Sequence, residues 1–133
     1  MLMLAFFALR TANVVANTQE NQELPPLIDR ELFFGDPKIA GAQISPNGEY
    51  ISFLKPYKGV RNIYVKKRGE PFEEAKPVTA DDRPVSSYFW SQDSKYLLYV
   101  QDKGGNENFH IYAVDPDAEP KEKTGVPPAK DLT

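Results

Sequence analysis

The sequence predicts an all-β fold made of two four-stranded antiparallel units. Three observations carry that expectation: an internal repeat, strand-length apolar segments separated by turn residues, and an aromatic content (Tyr 7, Phe 8, Trp 1) that favours strands. Gly 8 and Pro 12 in 133 residues also argue against a helical bundle.

The repeat is read directly from the residues. Ser45-Pro46-Asn47-Gly48-Glu49-Tyr50-Ile51-Ser52-Phe53 aligns with Ser91-Gln92-Asp93-Ser94-Lys95-Tyr96-Leu97-Leu98-Tyr99 at an offset of 46. Asn62-Ile63-Tyr64-Val65 then matches His110-Ile111-Tyr112-Ala113 at an offset of 48. Ala75-Lys76-Pro77-Val78-Thr79 matches Ala129-Lys130-Asp131-Leu132-Thr133 at an offset of 54. Order is kept and the offset grows only through loop insertions, as in solenoids, propellers and other arrays.

Each unit resolves into four short strands. In the first they fall at about Ala42–Ile44, Tyr50–Leu54, Asn62–Val65 and Lys76–Val78. In the second they fall at about Ser87–Trp90, Tyr96–Gln101, Phe109–Val114 and Lys130–Leu132. Pro46-Asn47-Gly48 supplies the first turn, with Gly48 free to take a positive φ; Gln92-Asp93-Ser94 does the same job with weaker turn residues. Tyr57-Lys58-Gly59 and Lys103-Gly104-Gly105-Asn106 make the next turns. The second strand of each unit is largely apolar on both faces, as a sheet between two neighbours requires.

Four-stranded units arrayed about an axis make a β-propeller, which needs at least four blades to close. Two units are therefore expected to be two blades of an incomplete propeller, part of a longer protein. A complete eight-stranded sandwich or barrel, and a ring of two-blade chains, are compatible with the same strands. The expected divisions are a signal peptide over residues 1–16, a leader over 17–39, blade one over 40–79, a linker over 80–86 and blade two over 87–133.

The amino terminus reads as a processing segment. Met1 to Leu9 is an uninterrupted apolar run, far below the ~20 residues of a membrane span. Val14-Val15-Ala16 offers a cleavage site, which points to a periplasmic or secreted protein. No basic segment precedes the apolar run, so the competing readings are a true start lying upstream, or a buried helix or strand. Asn17 to Pro26 is a polar leader. Leu27 to Phe34 is expected to form a helical turn or two, with Asp29, Arg30 and Glu31 in solvent and Leu32 and Phe33 packed on the domain.

Composition excludes several functions. A net charge of -3 gives no field to hold a phosphate backbone, so no nucleic-acid partner is expected. Cys 0 removes disulfides, thiol nucleophiles and thiolate metal sites. His 1 removes any multi-histidine metal site and leaves His110 as the only imidazole base. No cofactor, metal site or catalytic residue is expected in the chain.

The repeat and the segments Leu27–Asp36, Pro56-Tyr57-Lys58-Gly59, Tyr88-Phe89-Trp90-Ser91 and Tyr99-Val100-Gln101-Asp102-Lys103-Gly104-Gly105 resemble the amino-terminal propeller of the prolyl oligopeptidase family. Within it, the bacterial acylaminoacyl-peptidase and dipeptidyl-peptidase-like members are most similar. The blade signature alone is shared with TolB-like propellers. The resemblance implies a serine peptidase acting on short peptide substrates. In that family the propeller gates the substrate, and the Ser, Asp and His lie in a carboxy-terminal α/β-hydrolase domain that this chain lacks. A non-catalytic TolB-like scaffold of the periplasm is the alternative.

The residues themselves fit that expectation. No G-x-S-x-G nucleophile elbow occurs. Ser45 and Ser91 hold equivalent turn positions, so their hydroxyls are expected to bond the backbone. His110 replaces Asn62 of the first unit and is expected to be a strand residue rather than a triad member. Asp115-Pro116-Asp117 lacks calcium-loop spacing and reads as a turn. Glu73, Glu74, Asp81, Asp82 and Lys66-Lys67-Arg68 read as solvated turn residues. Gly104 and Gly105 read as turn glycines rather than a phosphate loop. Trp90 is expected between the units, with Tyr88 and Phe89 a conceivable aromatic platform.

Overall fold

The computed structural model describes residues 26–35 and 38–133. The expected signal peptide and most of the leader lie outside the described residues. The chain divides into two units, Met1–Gly35 and Asp36–Thr133.

In the first unit a one-turn helix, α1 (Arg30–Phe34), is opened by Asp29, whose carboxylate accepts the Glu31 N–H at 3.0 Å. It ends where the Gly35 N–H bonds the Glu31 carbonyl. Leu32 is exposed. The Phe33 side chain is outside the description.

The second unit contains eight strands in two sheets. The first sheet runs β1 (Ala40–Ile44), β2 (Tyr50–Tyr57), β3 (Val60–Lys67), β4 (Lys76–Pro77) in spatial order. The second runs β5 (Tyr88–Trp90), β6 (Leu97–Gln101), β7 (His110–Val114), β8 (Ala129–Asp131). All neighbours are antiparallel, so each sheet is a meander, as the repeat predicted. The β2–β3 hairpin is longer than expected because Lys58 (φ 51) and Gly59 (φ 82) form a two-residue turn of left-handed residues that keeps both strands paired from Tyr57↔Val60 inward. β1 carries a bulge between Ala40 and Gln43, where Gly41 sits at φ 57.

The register shows why the repeat is structural. Leu54 faces Ile63 as Val100 faces Ile111, and Ser52 faces Val65 as Leu98 faces Ala113. On the opposite faces Phe53 stacks on Tyr64 at 5.9 Å, as Tyr99 stacks on Tyr112 at 5.4 Å. Expected turn roles hold too. Ser45 Oγ accepts the Tyr50 N–H and Ser91 Oγ accepts the Tyr96 N–H, each at 2.9 Å.

One core joins the sheets. Leu54, Ile63, Val65 and Val78 from the first meet Tyr88, Trp90, Leu97, Tyr99 and Val114 from the second. The crossing segment 78–87 is part of that core: Val85 is fully buried and its N–H bonds the Arg61 carbonyl. Trp90 lies between the sheets, stacked on Tyr50 at 5.8 Å.

Candidate functional site

The described unit has three clusters of polar or ionisable side chains that could carry chemistry. The first surrounds His110. As a β7 residue next to β8, it brings Nδ1 to 2.8 Å from Asp131 Oδ2 and 3.0 Å from Thr133 Oγ1. Asn108 Nδ2 lies 3.3 Å from Nε2. The Thr-His-Asp composition imitates a catalytic relay, but its geometry does not. A relay needs the carboxylate on one ring nitrogen and the hydroxyl on the other. Here both crowd Nδ1, and Thr133 Oγ1 also donates to Asp131 Oδ1 at 3.0 Å. Asp131 is held below the usual carboxylate range by the Thr133 backbone N–H first, then by the Thr133 hydroxyl and the His110 charge. Sequence reading missed both partners, because they lie across a loop of variable length.

The second cluster is a groove of about 460 Å³ between the β3–β4 side of the first sheet and the loop after β7. Tyr50, Lys67, Glu70, Glu74, Asp117 and Glu119 supply its polar lining. Asp117 does more than turn the chain: its Oδ2 accepts the Tyr50 hydroxyl at 2.7 Å and so ties the second sheet's loop to the first sheet. That bond, with burial and nearby acidic charge adding to it, pushes the Tyr50 hydroxyl up to about 12. Lys66 also lines the groove, and it corrects the expectation of a solvated lysine. It is buried, and its Nζ donates to the carbonyls of Lys67, Arg68 and Glu70 at 2.9, 3.3 and 2.7 Å. A buried ammonium requires such partners. Its charge is therefore spent on closing the β3–β4 loop.

The third cluster lies at the other ends of the strands. Asp81 was expected in solvent, but it is half-buried beside the Tyr99 hydroxyl. Burial pushes its carboxyl up, and the Tyr99 hydroxyl partly opposes that shift. Tyr99 is itself pushed up by burial and by the Asp81 charge. Asn62 fixes this loop: its Oδ1 accepts from the Thr79 hydroxyl and the Asp81 N–H at 2.7 and 2.9 Å. Nearby, buried Asp102 accepts the Glu107 N–H on Oδ2 and faces Arg83 Nε at 3.2 Å on Oδ1, an ion pair without hydrogen-bond alignment. Gly104 and Gly105 take positive φ, as turn glycines do, and a Cβ on Gly105 would strike the Arg83 guanidinium.

Glu73 and Glu74 sit exposed in a 3-10 turn, Phe72–Glu74, and Asp82 is exposed. Tyr88 and Trp90 are buried, so only Phe89 of the aromatic platform reaches solvent. Among the described residues no cluster of three or more acidic or histidine side chains could hold a metal ion. No helix among them is long and apolar enough to cross a membrane.

No protein-family model matches the chain. It is 45% identical over 108 residues to dipeptidyl aminopeptidase BIII of Pseudoxanthomonas mexicana, covering 80% of this chain. That match is consistent with a part of a prolyl oligopeptidase-family peptidase. It is also 31% identical over 88 residues, 65% of its length, to dipeptidyl peptidase family member 6 of Caenorhabditis elegans. The chain spans 14% and 12% of the lengths of these two relatives.

Proposed function

We propose that the chain is the substrate-gating propeller part of a serine peptidase that acts on short peptides. The observation that carries this reading is the 45% identity to a dipeptidyl aminopeptidase of which the chain spans only 14%. The two stacked meanders support it, because each is one four-stranded blade and their stacking leaves a third position open. On this reading the nucleophile, base and acid belong to an α/β-hydrolase domain outside these residues. The protein is exported, with residues up to Ala16 removed.

The reading is tested on the protein encoded by the chain together with the coding sequence that follows it. Aminoacyl and dipeptidyl reporter substrates should be hydrolysed by that protein and inhibited by a serine-directed reagent. The 133-residue chain alone should give the buffer rate, with or without His110→Ala. Turnover by the chain that disappears in His110→Ala would move the chemistry into these sheets. A following sequence with further blades but no nucleophile elbow would favour a TolB-like scaffold. Amino-terminal sequencing of the exported protein checks the processing: a chain still beginning at Met1 in the cytoplasm ends that part.

A further inference from the structure

Asn47-Gly48, in the turn between β1 and β2, is the only Asn-Gly pair in the chain. Asn47 is exposed there, and Gly48 holds φ 74. Such a pair can modify itself. The Gly48 amide nitrogen attacks Asn47 Cγ, a five-membered succinimide closes, and Nδ2 leaves as ammonia. Water then opens the ring at one of its two carbonyls. Breaking the bond from Cγ to the Gly48 nitrogen gives aspartate; breaking the main-chain bond gives isoaspartate. One water is consumed and one ammonia released, with no oxidant, reductant or second protein. Glycine favours the attack because no Cβ crowds the approaching nitrogen.

The second sheet shows that this turn can hold the product. Asp93 stands in the place of Asn47 and makes the same bonds. Asn47 Oδ1 accepts the Ser45 hydroxyl at 2.6 Å and the Glu49 N–H at 3.1 Å. Asp93 Oδ1 accepts the Ser91 hydroxyl and, at 3.1 Å, the Lys95 N–H. Those two donors, the hydroxyl first, hold Asp93 below the usual carboxylate range. The difference lies on the nitrogen side. Asn47 Nδ2 donates to Glu49 Oε2 at 3.0 Å, whereas the residue beside Asp93 in the repeat is Lys95. An aspartate at 47 would keep the turn's shape and set two carboxylates against each other.

The closed turn holds the reaction back. The Gly48 N–H donates to the Ser45 carbonyl at 2.8 Å, and attack needs that nitrogen released and deprotonated. The carboxamide is pinned on both its oxygen and its nitrogen. The Asn47 N–H donates to Ser94 Oγ at 2.9 Å, which ties the turn to the second sheet. Reaction is therefore confined to the population in which the turn has opened.

We propose that Asn47 is a self-modification site gated by its own turn, and that conversion sets a carboxylate against Glu49 and biases the turn open. The second turn escapes both steps: Asp93 has no amide to lose, and Lys95 stands where Glu49 does. Isoaspartate acts further. It lengthens the main chain by one carbon, so the Gly48 N–H loses its register with the Ser45 carbonyl.

The 133-residue chain is incubated in mildly alkaline buffer, folded and in urea, and peptide mapping by mass spectrometry reads the amide-to-acid change at each asparagine. In the folded chain Asn47 should convert faster than Asn106 and Asn108, which are also exposed. Urea should speed conversion at Asn47 about tenfold or more. Ser94→Gly removes the acceptor of the Asn47 N–H while suiting the left-handed φ of 61, and should speed conversion roughly threefold. Asn47→Asp should speed hydrogen exchange of the Gly48 amide about twofold to fivefold, and Glu49→Lys added to it should restore the original rate. Conversion at Asn47 no faster than at Asn106 and Asn108 overturns the site. Equal rates in folded and urea-unfolded chain, or a rate indifferent to Ser94→Gly, overturn the gating. A Gly48 amide unmoved by Asn47→Asp, or not rescued by Glu49→Lys, overturns the effect of the added charge.

Discussion

The outer faces of the two sheets are built from equivalent strands and treated in opposite ways. The first sheet covers its own. Its outer face carries Phe53, which is only 1% exposed because Tyr64 lies beside it and Phe72 from the β3–β4 connection stacks on it at 4.8 Å. The buried Lys66 ties that connection down by its carbonyls. The second sheet has no such cover. Its outer face offers Phe89, Val100 and Ile111 to solvent, and Phe109 beside them is 62% exposed. The difference teaches that an apolar strand face does not by itself mark an interface. What decides is whether a nearby loop folds back over it.

The sharpest way to break this comparison is to truncate one aromatic on each face. Phe53→Ala should cost about 3–5 kcal/mol, the usual result for a packed aromatic. Phe109→Ala should stay within about 0.5 kcal/mol. Urea denaturation measures both, and similar costs would mean that the two faces are equally covered. A smaller effect is expected at the interface between the sheets. Ser52→Ala leaves the indole N–H of Trp90 without its acceptor and should cost about 1–3 kcal/mol. The equivalent change on the open face, Leu98→Ala, removes only part of a half-buried side chain and strands no polar group. If Leu98→Ala proves the costlier, the open face is not open.

The smallest expected effect is in pH dependence. Tyr50 is raised from 10.0 to about 12 in the fold. Between those values the unfolded chain has lost the hydroxyl proton and the folded one keeps it. The unfolded state then binds fewer protons, so stability falls as pH rises through that window. Tyr50→Phe should flatten the fall while leaving stability near neutral pH little changed, because the Tyr50–Asp117 contact is exposed. Denaturation curves across pH 9 to 12 read the slope; an unaltered slope would remove Tyr50 from the account.

Strand positions were legible because the repeat, the alternation and the turn residues all agree. Pro46-Asn47-Gly48 and Lys58-Gly59 are local chemistry, and they fix the register on both sides. The cover over the first sheet was not legible. Phe72 lies 19 positions from Phe53 in a connection whose direction depends on where Lys66 finds carbonyls. Ser52 looked like a polar interruption because its partners Tyr88 and Trp90 are 36 and 38 residues away. The same distance problem hid the Tyr50–Asp117 link and the crowding of His110 Nδ1. Asp81 looked solvated because its charge was visible in the sequence and its contact with Tyr99 was not.

The bulge at Gly41 has a consequence for solubility. β1 is an edge strand, and an edge offers unpaired carbonyls and amides to any extended chain that meets it. At the bulge the Gly41 carbonyl turns to accept the Tyr88 hydroxyl at 2.7 Å, which withdraws it from that edge. A strand from another molecule would meet a broken ladder there. At the opposite edge of the same sheet, Pro77 contributes no N–H at all. Aggregation by edge-to-edge pairing is thus hindered on both sides of the first sheet, by a local twist on one and by a missing donor on the other.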